Sequence, residues 1–265
     1  MYLGNEQDWL ALVIGNSRLH WGWFRQNTLI ETWHTEHVKT SVRPWQLPHL
    51  FLHHKLIEQD TLNIPVYFAS VVASQTEYWR NYHQLNRIDL LDINLAGMYP
   101  GMGIDRALTI YGAVSSYRQA CLVIDGGTAL TFTSVDEQGK LIGGAILPGL
   151  RSQLSALKHK TPALPEVKLP EHMPPRWALD TDTAIASGIL YTAIAGVHSY
   201  IIDWLRQFPL SQVIFTGGDA ELLSQFLHQQ YRDLSYLTTV NHSLVFEGIR
   251  LVYEQQNGSL DSLIQ

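Results

Sequence analysis

One arrangement occurs twice in this chain and constrains every other reading of it. Cys121-Leu122-Val123-Ile124 is a short, β-branched apolar run of the kind that forms a buried strand. It stops at Asp125-Gly126-Gly127-Thr128, and a second strand is expected from Thr131 to Val135. A polar turn follows at Asp136-Glu137-Gln138-Gly139, then a third strand from Leu141. The same order appears near the N-terminus. Trp9 to Ile14 reads as a buried strand, Gly15-Asn16-Ser17 as its corner, and Leu19 to Phe24 as the next strand. Gln26-Asn27 makes the turn, and Leu29-Ile30 opens the third strand. Two strand–glycine corner–strand–turn–strand units about half a chain apart indicate an internal duplication. The expected architecture is therefore α/β, in two similar domains over residues 1–118 and 119–265 with a cleft between them.

The chemistry of the corners suggests what the cleft holds. Adjacent glycines let the backbone approach a ligand and aim N–H groups at it, which suits phosphate oxygens. An ordinary hairpin with an Asx turn accounts for a single such corner equally well. Two corners facing each other would hold a nucleotide's phosphates from both sides, as in the actin-like, hexokinase-like ATPase fold.

Composition sets the outer limits. With 265 residues, 46% hydrophobic and 16% charged, the chain is long and apolar enough for a sizeable core. A formal net charge of -6 and the lack of a basic run argue against nucleic acid as a partner. Cys121 is the single cysteine, which excludes an intramolecular disulfide. No basic-then-apolar leader opens the chain, so a cytoplasmic location is the expectation. The apolar stretch Ser187 to Leu205 is interrupted by His198 and Asp203 and carries Gly188, Ala193, Ala195 and Gly196; a buried or interface helix is expected, not a membrane span.

Elsewhere, His34, His37, His49, His53 and His54 crowd residues 31–64 without a zinc-ligand spacing, and Trp33 and Trp45 read as packing residues. Val66 to Val72 reads as a strand and 75–86 as a polar helix. The loop Met98 to Gly103 feeds Ile104-Asp105-Arg106 and a helix with Ala107, Ile110, Tyr111 and Val114 on its apolar face. Residues 158–180 hold five prolines and read as a long extended connection, either a contact segment near a site or a passive linker. Val213 to Thr216 is another strand, closed by Gly217-Gly218-Asp219 and a helix through Gln229, and Phe246 to Tyr253 is a final helix.

Taken in order, these motifs resemble those of the type III pantothenate kinases, and the resemblance spans nearly the whole chain. It is carried by Gly15-Asn16-Ser17, Ala69-Ser70-Val71-Val72, Gly103-Ile104-Asp105-Arg106, Asp125-Gly126-Gly127-Thr128-Ala129 and Gly143-Gly144-Ala145-Ile146-Leu147-Pro148-Gly149. Thr181 with Ser187-Gly188, Thr216-Gly217-Gly218 and Glu247-Gly248-Ile249-Arg250 complete the set. The resemblance implies ATP-dependent phosphorylation of pantothenate, with Mg²⁺ accompanying ATP and a monovalent cation, potassium or ammonium, at Asp125. Asp105 would then be the base, and Gly103, Ile104, Arg106, Tyr99 and Thr181 would meet pantothenate. Val13, Ile14, Gly15, Asn16, Ser17 and Arg18, with Gly126, Gly127 and Thr128, would surround the phosphates. The resemblance also implies a homodimer, with acceptor sites near the subunit interface.

Read from local pattern alone, Asp105 and Thr181 are equally suited to capping helices, and Arg106 to a first-turn surface charge. One position departs from the family. Its first loop carries Asp where this chain has Val13, so the metal is expected to arrive mainly with ATP and to be held weakly by the protein. The same departure leaves two alternatives open: an inactive nucleotide-binding relative acting as a transcription accessory factor, or a kinase for another small hydroxylated metabolite.

Overall fold

The computed structural model describes residues 8–44, 47 and 64–261. Two five-stranded sheets built to one plan dominate it, and the duplication read from the sequence is present in the strand order. In the first sheet, β1 (Asp8–Ile14), β2 (Leu19–Arg25) and β3 (Thr28–Thr35) form an antiparallel meander. β4 (Val66–Ser70) and β5 (Leu85–Arg87) then add in parallel on the other side of β1. In the second sheet, β6 (Cys121–Gly126), β7 (Ala129–Val135) and β8 (Leu141–Pro148) repeat the meander, and β9 (Gln212–Thr216) and β10 (Thr238–Val240) repeat the parallel pair beside β6.

The helices are α1 (Ala73–Trp79), α2 (Ile104–Tyr117), α3 (Leu150–Lys160), α4 (Thr181–Gln207), α5 (Ala220–Gln230) and α6 (Leu244–Asp261). Two compact units emerge, neither contiguous in sequence. One comprises residues 1–94, 98–112 and 245–265, and the other 95–97 and 113–244. A division at 118/119 assigns the final helix to the second half of the chain, whereas in space α6 belongs with the first sheet. The reason is the apolar face of α6: Tyr253 stacks on Trp9 of β1 at 4.2 Å between ring centroids, and Trp9 also stacks on Phe24 at 4.2 Å.

β1 is buried on both faces, which is why it reads as an unbroken apolar run. Leu10, Leu12 and Ile14 face one cluster with Trp21, Phe68 and Trp79, while Trp9 points the other way onto Tyr253. In the second unit Leu122, Ile124 and Phe132 of the sheet pack with Leu190, Ile194, Val197 and Trp204 of α4 and with Leu223 and Phe226 of α5. α4 is long and apolar enough, by length and composition, to cross a membrane, yet it supplies this buried stripe. Cys121 is buried at the start of β6, where loss of hydration pushes its thiol up to about 12.

Several local readings are corrected. The polar helix expected over 75–86 ends at Trp79, and residues 85–87 form β5, because the chain there adds to the edge of β4. α3 and β10 were not anticipated: α3 buries only Leu150 and Leu154, and β10 has three half-buried residues, so neither carries a readable period. Of the extended connection expected over 158–180, residues 161–180 form no helix or strand, while 158–160 are the end of α3. That segment is nonetheless fastened to α4. Ser187 Oγ donates to the Arg176 carbonyl at 2.8 Å, Tyr191 OH donates to the Pro174 carbonyl at 3.1 Å, and the Arg176 guanidinium lies 4.1 Å from the Tyr191 ring centroid. His49, His53, His54 and Trp45 lie outside the described residues. Among the described residues no group of three His, Cys, Asp or Glu is placed to hold a metal ion.

Candidate active site

Each unit builds its corner where β-strands end side by side, the position at which open α/β sheets bind ligands. In the first unit, β1 and β4 are parallel neighbours with Ile14 opposite Ser70, so the Gly15 corner lies beside Val71, whose N–H donates to the Ile14 carbonyl at 3.1 Å. The Gly15 N–H donates to the Arg18 carbonyl at 3.0 Å, closing a tight turn that leaves Asn16, Ser17 and Arg18 exposed. Val13 is 5% exposed inside β1, directly across from His20 on β2. Opposed residues on an antiparallel pair share a face, so an imidazole occupies the neighbourhood where the family's Asp would stand.

His20 is half-buried, and burial, followed by the nearby His34, Arg18 and His37 charges, lowers its pKa to about 4 from 6.5. A depressed imidazole pKa means that the unfolded chain takes up a proton which the folded chain refuses. This part of the stability is intact above pH 6.5 and is lost as the pH falls toward 4, by roughly 2–3 kcal/mol. Urea unfolding at both ends of that window should show the loss, and His20→Gln should make it smaller. An identical pH dependence in the variant would remove His20 from this account.

The second cluster of the first unit sits at the start of α2. The Gly103 carbonyl accepts the first intrahelical bond, from the Ala107 N–H at 3.0 Å, so Gly103 is the cap and Asp105 stands inside the first turn. The capping role for Asp105 is thereby corrected. One Asp105 oxygen accepts the Arg106 N–H at 2.8 Å, and a Cβ on residue 103 would lie 2.7 Å from that oxygen. Glycine at 103 therefore leaves room for the carboxylate. Arg106 is no surface charge: it is 7% exposed and donates to the Tyr99 hydroxyl at 3.0 Å. Gly103, Ile104, Asp105, Arg106 and Tyr99 are thus brought together, with Tyr99 45% exposed at the rim.

In the second unit, β6 and β9 are parallel neighbours with Asp125 opposite Thr216, which sets Gly126-Gly127-Thr128 beside Gly217-Gly218. The Thr128 carbonyl accepts both the Gly149 N–H at 2.9 Å and Ser152 Oγ–H at 2.7 Å, fixing the corner against the start of α3. The Gly126 carbonyl accepts the Asp219 N–H at 2.8 Å. Gly217 has φ +86°, and a Cβ there would lie 2.2 Å from Asp125 Oδ1 and 2.6 Å from the Gly126 carbonyl oxygen. A left-handed residue in direct contact with a carboxylate must be glycine. Sequence reading missed the pair behind this corner: Asp219, 6% exposed, is held by Arg151 at 3.1 Å. Thr181 opens α4 and is exposed, but its neighbour Asp180 is the cap, accepting the Thr183 N–H at 2.9 Å.

The family profile described as Type III pantothenate kinase matches residues 9–203. A type III pantothenate kinase of Synechocystis sp. is 41% identical over 250 residues, covering 94% of this chain and 91% of its own. One of Nostoc sp. is 41% identical over 261 residues, covering 93% and 95%. This chain belongs to the type III pantothenate kinase family. Among solved structures, a conserved protein of the Baf transcriptional-activator family from Campylobacter jejuni is similar with a TM-score of 0.60 at 20% identity, covering 94% of this chain and 99% of its own. The activator of 2-hydroxyisocaproyl-CoA dehydratase from Clostridium difficile, with bound ADPNP, is similar with a TM-score of 0.52 at 9% identity, covering 97% and 98%. Those two likenesses concern the fold alone, two five-stranded mixed sheets built to one plan.

Proposed function

We propose that this chain transfers the γ-phosphoryl group of Mg·ATP to the primary hydroxyl of pantothenate, giving 4′-phosphopantothenate and ADP, the first step of coenzyme A synthesis. The observation that carries the chemistry is the Asp105–Arg106–Tyr99 constellation, a carboxylate held clear by Gly103 beside a buried, hydrogen-bonded guanidinium. Phosphoryl transfer asks the protein mainly for position and charge compensation. Asp105 accepts the hydroxyl proton as that oxygen bonds to the γ-phosphorus and the bond to the ADP oxygen breaks. Arg106 takes the pantothenate carboxylate, with Gly103, Ile104 and Tyr99 as further contacts. The corner Ile14-Gly15-Asn16-Ser17-Arg18 offers N–H and hydroxyl donors of the kind that phosphate oxygens take, and Gly126-Gly127-Thr128 offers the same kind of donors in its own unit. Mg²⁺ comes with ATP and keeps several of its waters, in keeping with Val13 offering it no oxygen.

A monovalent cation suits Asp125. Asp125 Oδ1 and the Gly126 carbonyl oxygen both lie against Gly217, and oxygens of this kind are the donors hard cations prefer. When bound, the cation offsets negative charge on the triphosphate. Turnover in a coupled assay with ATP and pantothenate should rise strongly with potassium or ammonium and little with sodium, and Asp125→Ala should abolish that response. Equal rates in all three salts would remove the cation from the scheme, and no pantothenate-dependent ADP release in any of them would sink the kinase reading.

Further parts of the reading concern assembly and place. The exposed side of α4 carries Ala184, Gly188, Thr192, Ala195 and Ser199, small residues at helical spacing that suit close packing against a second copy. A homodimer formed there, working in the cytoplasm on small molecules without nucleic acid or membrane, fits the net charge of -6.

A further inference from the structure

The corner Asp125-Gly126-Gly127-Thr128 closes on itself, the Gly127 N–H donating to the Ala129 carbonyl at 2.9 Å, and two helices begin against it. In the strand order β10-β9-β6-β7-β8, α5 follows β9 on one side of β6, and α3 follows β8 on the other, beyond β7. The start of α5 takes Gly126: the Asp219 N–H donates to its carbonyl at 2.8 Å, and a Cβ on residue 126 would run into Leu223. The start of α3 takes Thr128, whose carbonyl accepts the Gly149 N–H at 2.9 Å and Ser152 Oγ–H at 2.7 Å. A Cβ on residue 149 would run into the Gly127 carbonyl oxygen, so glycine there lets α3 come up against the corner.

The two braces are tied to each other. Arg151, in the first turn of α3, donates through Nε at 3.3 Å and Nη2 at 3.1 Å to Asp219 Oδ1, across 68 residues of sequence. Asp219 stands at the cap position of α5, where Asp ordinarily accepts the helix's own N–H groups. Among the described residues its carboxylate bonds Arg151 and none of the α5 amides, so a local cap is given up for a link between helices. The pair is also uneven. Asp219 is 6% exposed while the Arg151 side chain is 68% exposed, so a buried carboxylate depends on a surface arginine to offset its charge.

We propose that Arg151 and Asp219 are positioning residues for the nucleotide, a tie that keeps the two helix starts closed on the corner and so holds its donors where a phosphate group meets them. The inference deepens the kinase reading and rests on it for the identity of the ligand, ATP. The pair acts through Gly126 and Thr128, the residues whose carbonyls the braces grip. A corner held in place before the ligand arrives loses less freedom on binding. The tie therefore bears on ATP affinity and not on the chemical step.

The test uses the full chain, with calorimetry of a non-hydrolysable ATP analogue and Mg²⁺, amide hydrogen exchange, and coupled-assay kinetics. Arg151→Ala should weaken analogue affinity by about ten-fold, the worth of one charge-assisted hydrogen bond. The loss in turnover should enter through KM for ATP, with kcat and KM for pantothenate within about two-fold of the parent. The Gly127 and Gly149 amides should exchange about ten-fold faster, while those of Leu122 to Ile124 in β6 keep the parent's rates. Arg151→Lys should recover most of the affinity, because both arginine nitrogens meet a single oxygen that one ammonium can also reach. Arg151→Ala combined with Asp219→Asn removes the buried charge but leaves the tie broken, and Asn caps a helix as well as Asp. Its affinity should stay about as low as that of Arg151→Ala alone. Recovery in the double variant would make the effect repulsion of phosphate by an unpaired carboxylate and would overturn positioning. So would unchanged affinity and exchange in Arg151→Ala, a Lys variant no better than the Ala variant, or faster exchange throughout β6. Exchange needs no nucleotide, so a parent that fails to bind the analogue strikes the kinase reading and leaves the tie to be judged from Gly127 and Gly149. Analogue binding that responds as expected, without pantothenate-dependent turnover, strikes the kinase reading alone.

Discussion

Asp105→Asn is expected to lower turnover on the order of 10²–10⁴-fold, the usual worth of a positioned general base. The substitution keeps the size of the side chain, and its amide oxygen can still accept the Arg106 N–H that Asp105 accepts at 2.8 Å. Helix α2 loses little, because its cap is the Gly103 carbonyl and not this side chain. Folding and nucleotide affinity should therefore stay close to those of the parent while the chemical step fails. The measurement is single-turnover kinetics together with an unfolding curve. A stable variant with near-normal turnover would reduce Asp105 to a first-turn acid that favours the helix N-terminus, an effect of only about 0.3–1 kcal/mol.

A second large effect is expected from a methyl group. Gly217→Ala would place its Cβ 2.2 Å from Asp125 Oδ1 and 2.6 Å from the Gly126 carbonyl oxygen, at φ +86°. The left-handed backbone costs about 1–2 kcal/mol for an alanine, and displacing packed neighbours adds roughly 1–3 kcal/mol. Gly126 has little room to give, since its carbonyl is already engaged by the Asp219 N–H at 2.8 Å. The variant should lose about 2–5 kcal/mol of stability and, because Asp125 must move, its response to potassium. Gly218→Ala is the internal control. A Cβ there meets nothing within 4 Å, so its unfolding midpoint should be close to that of the parent. Comparable losses in the two variants would mean that the corner is not packed as described.

These neighbouring glycines show where sequence reading stopped. Gly217 and Gly218 are indistinguishable as letters; a positive φ and a carboxylate from another strand separate them. The meanders were legible because β1 and β6 are buried runs closed by corners, a pattern that survives any tertiary context. Contacts set by long separations were not. His37 meets Gly15 across 22 residues, Gln75 meets Val38 across 37, and Arg151 meets Asp219 across 68. Nor could the letters tell that Gly103 caps α2, or that Arg106 turns inward to Tyr99, since an acid and a base in a first turn fit a surface role as well. The short strands β5 and β10 exist only as additions to longer partners, so three residues of each carry no pattern of their own.

The buried thiol of Cys121 has a practical consequence for anyone handling this enzyme. With its pKa pushed up to about 12, the reactive thiolate is on the order of one part in 10⁵ at neutral pH. Alkylating reagents and mild oxidants should leave the folded chain untouched. A cysteine introduced at an exposed position would then be the single labelling handle, available for a fluorophore or spin probe without first replacing the native residue.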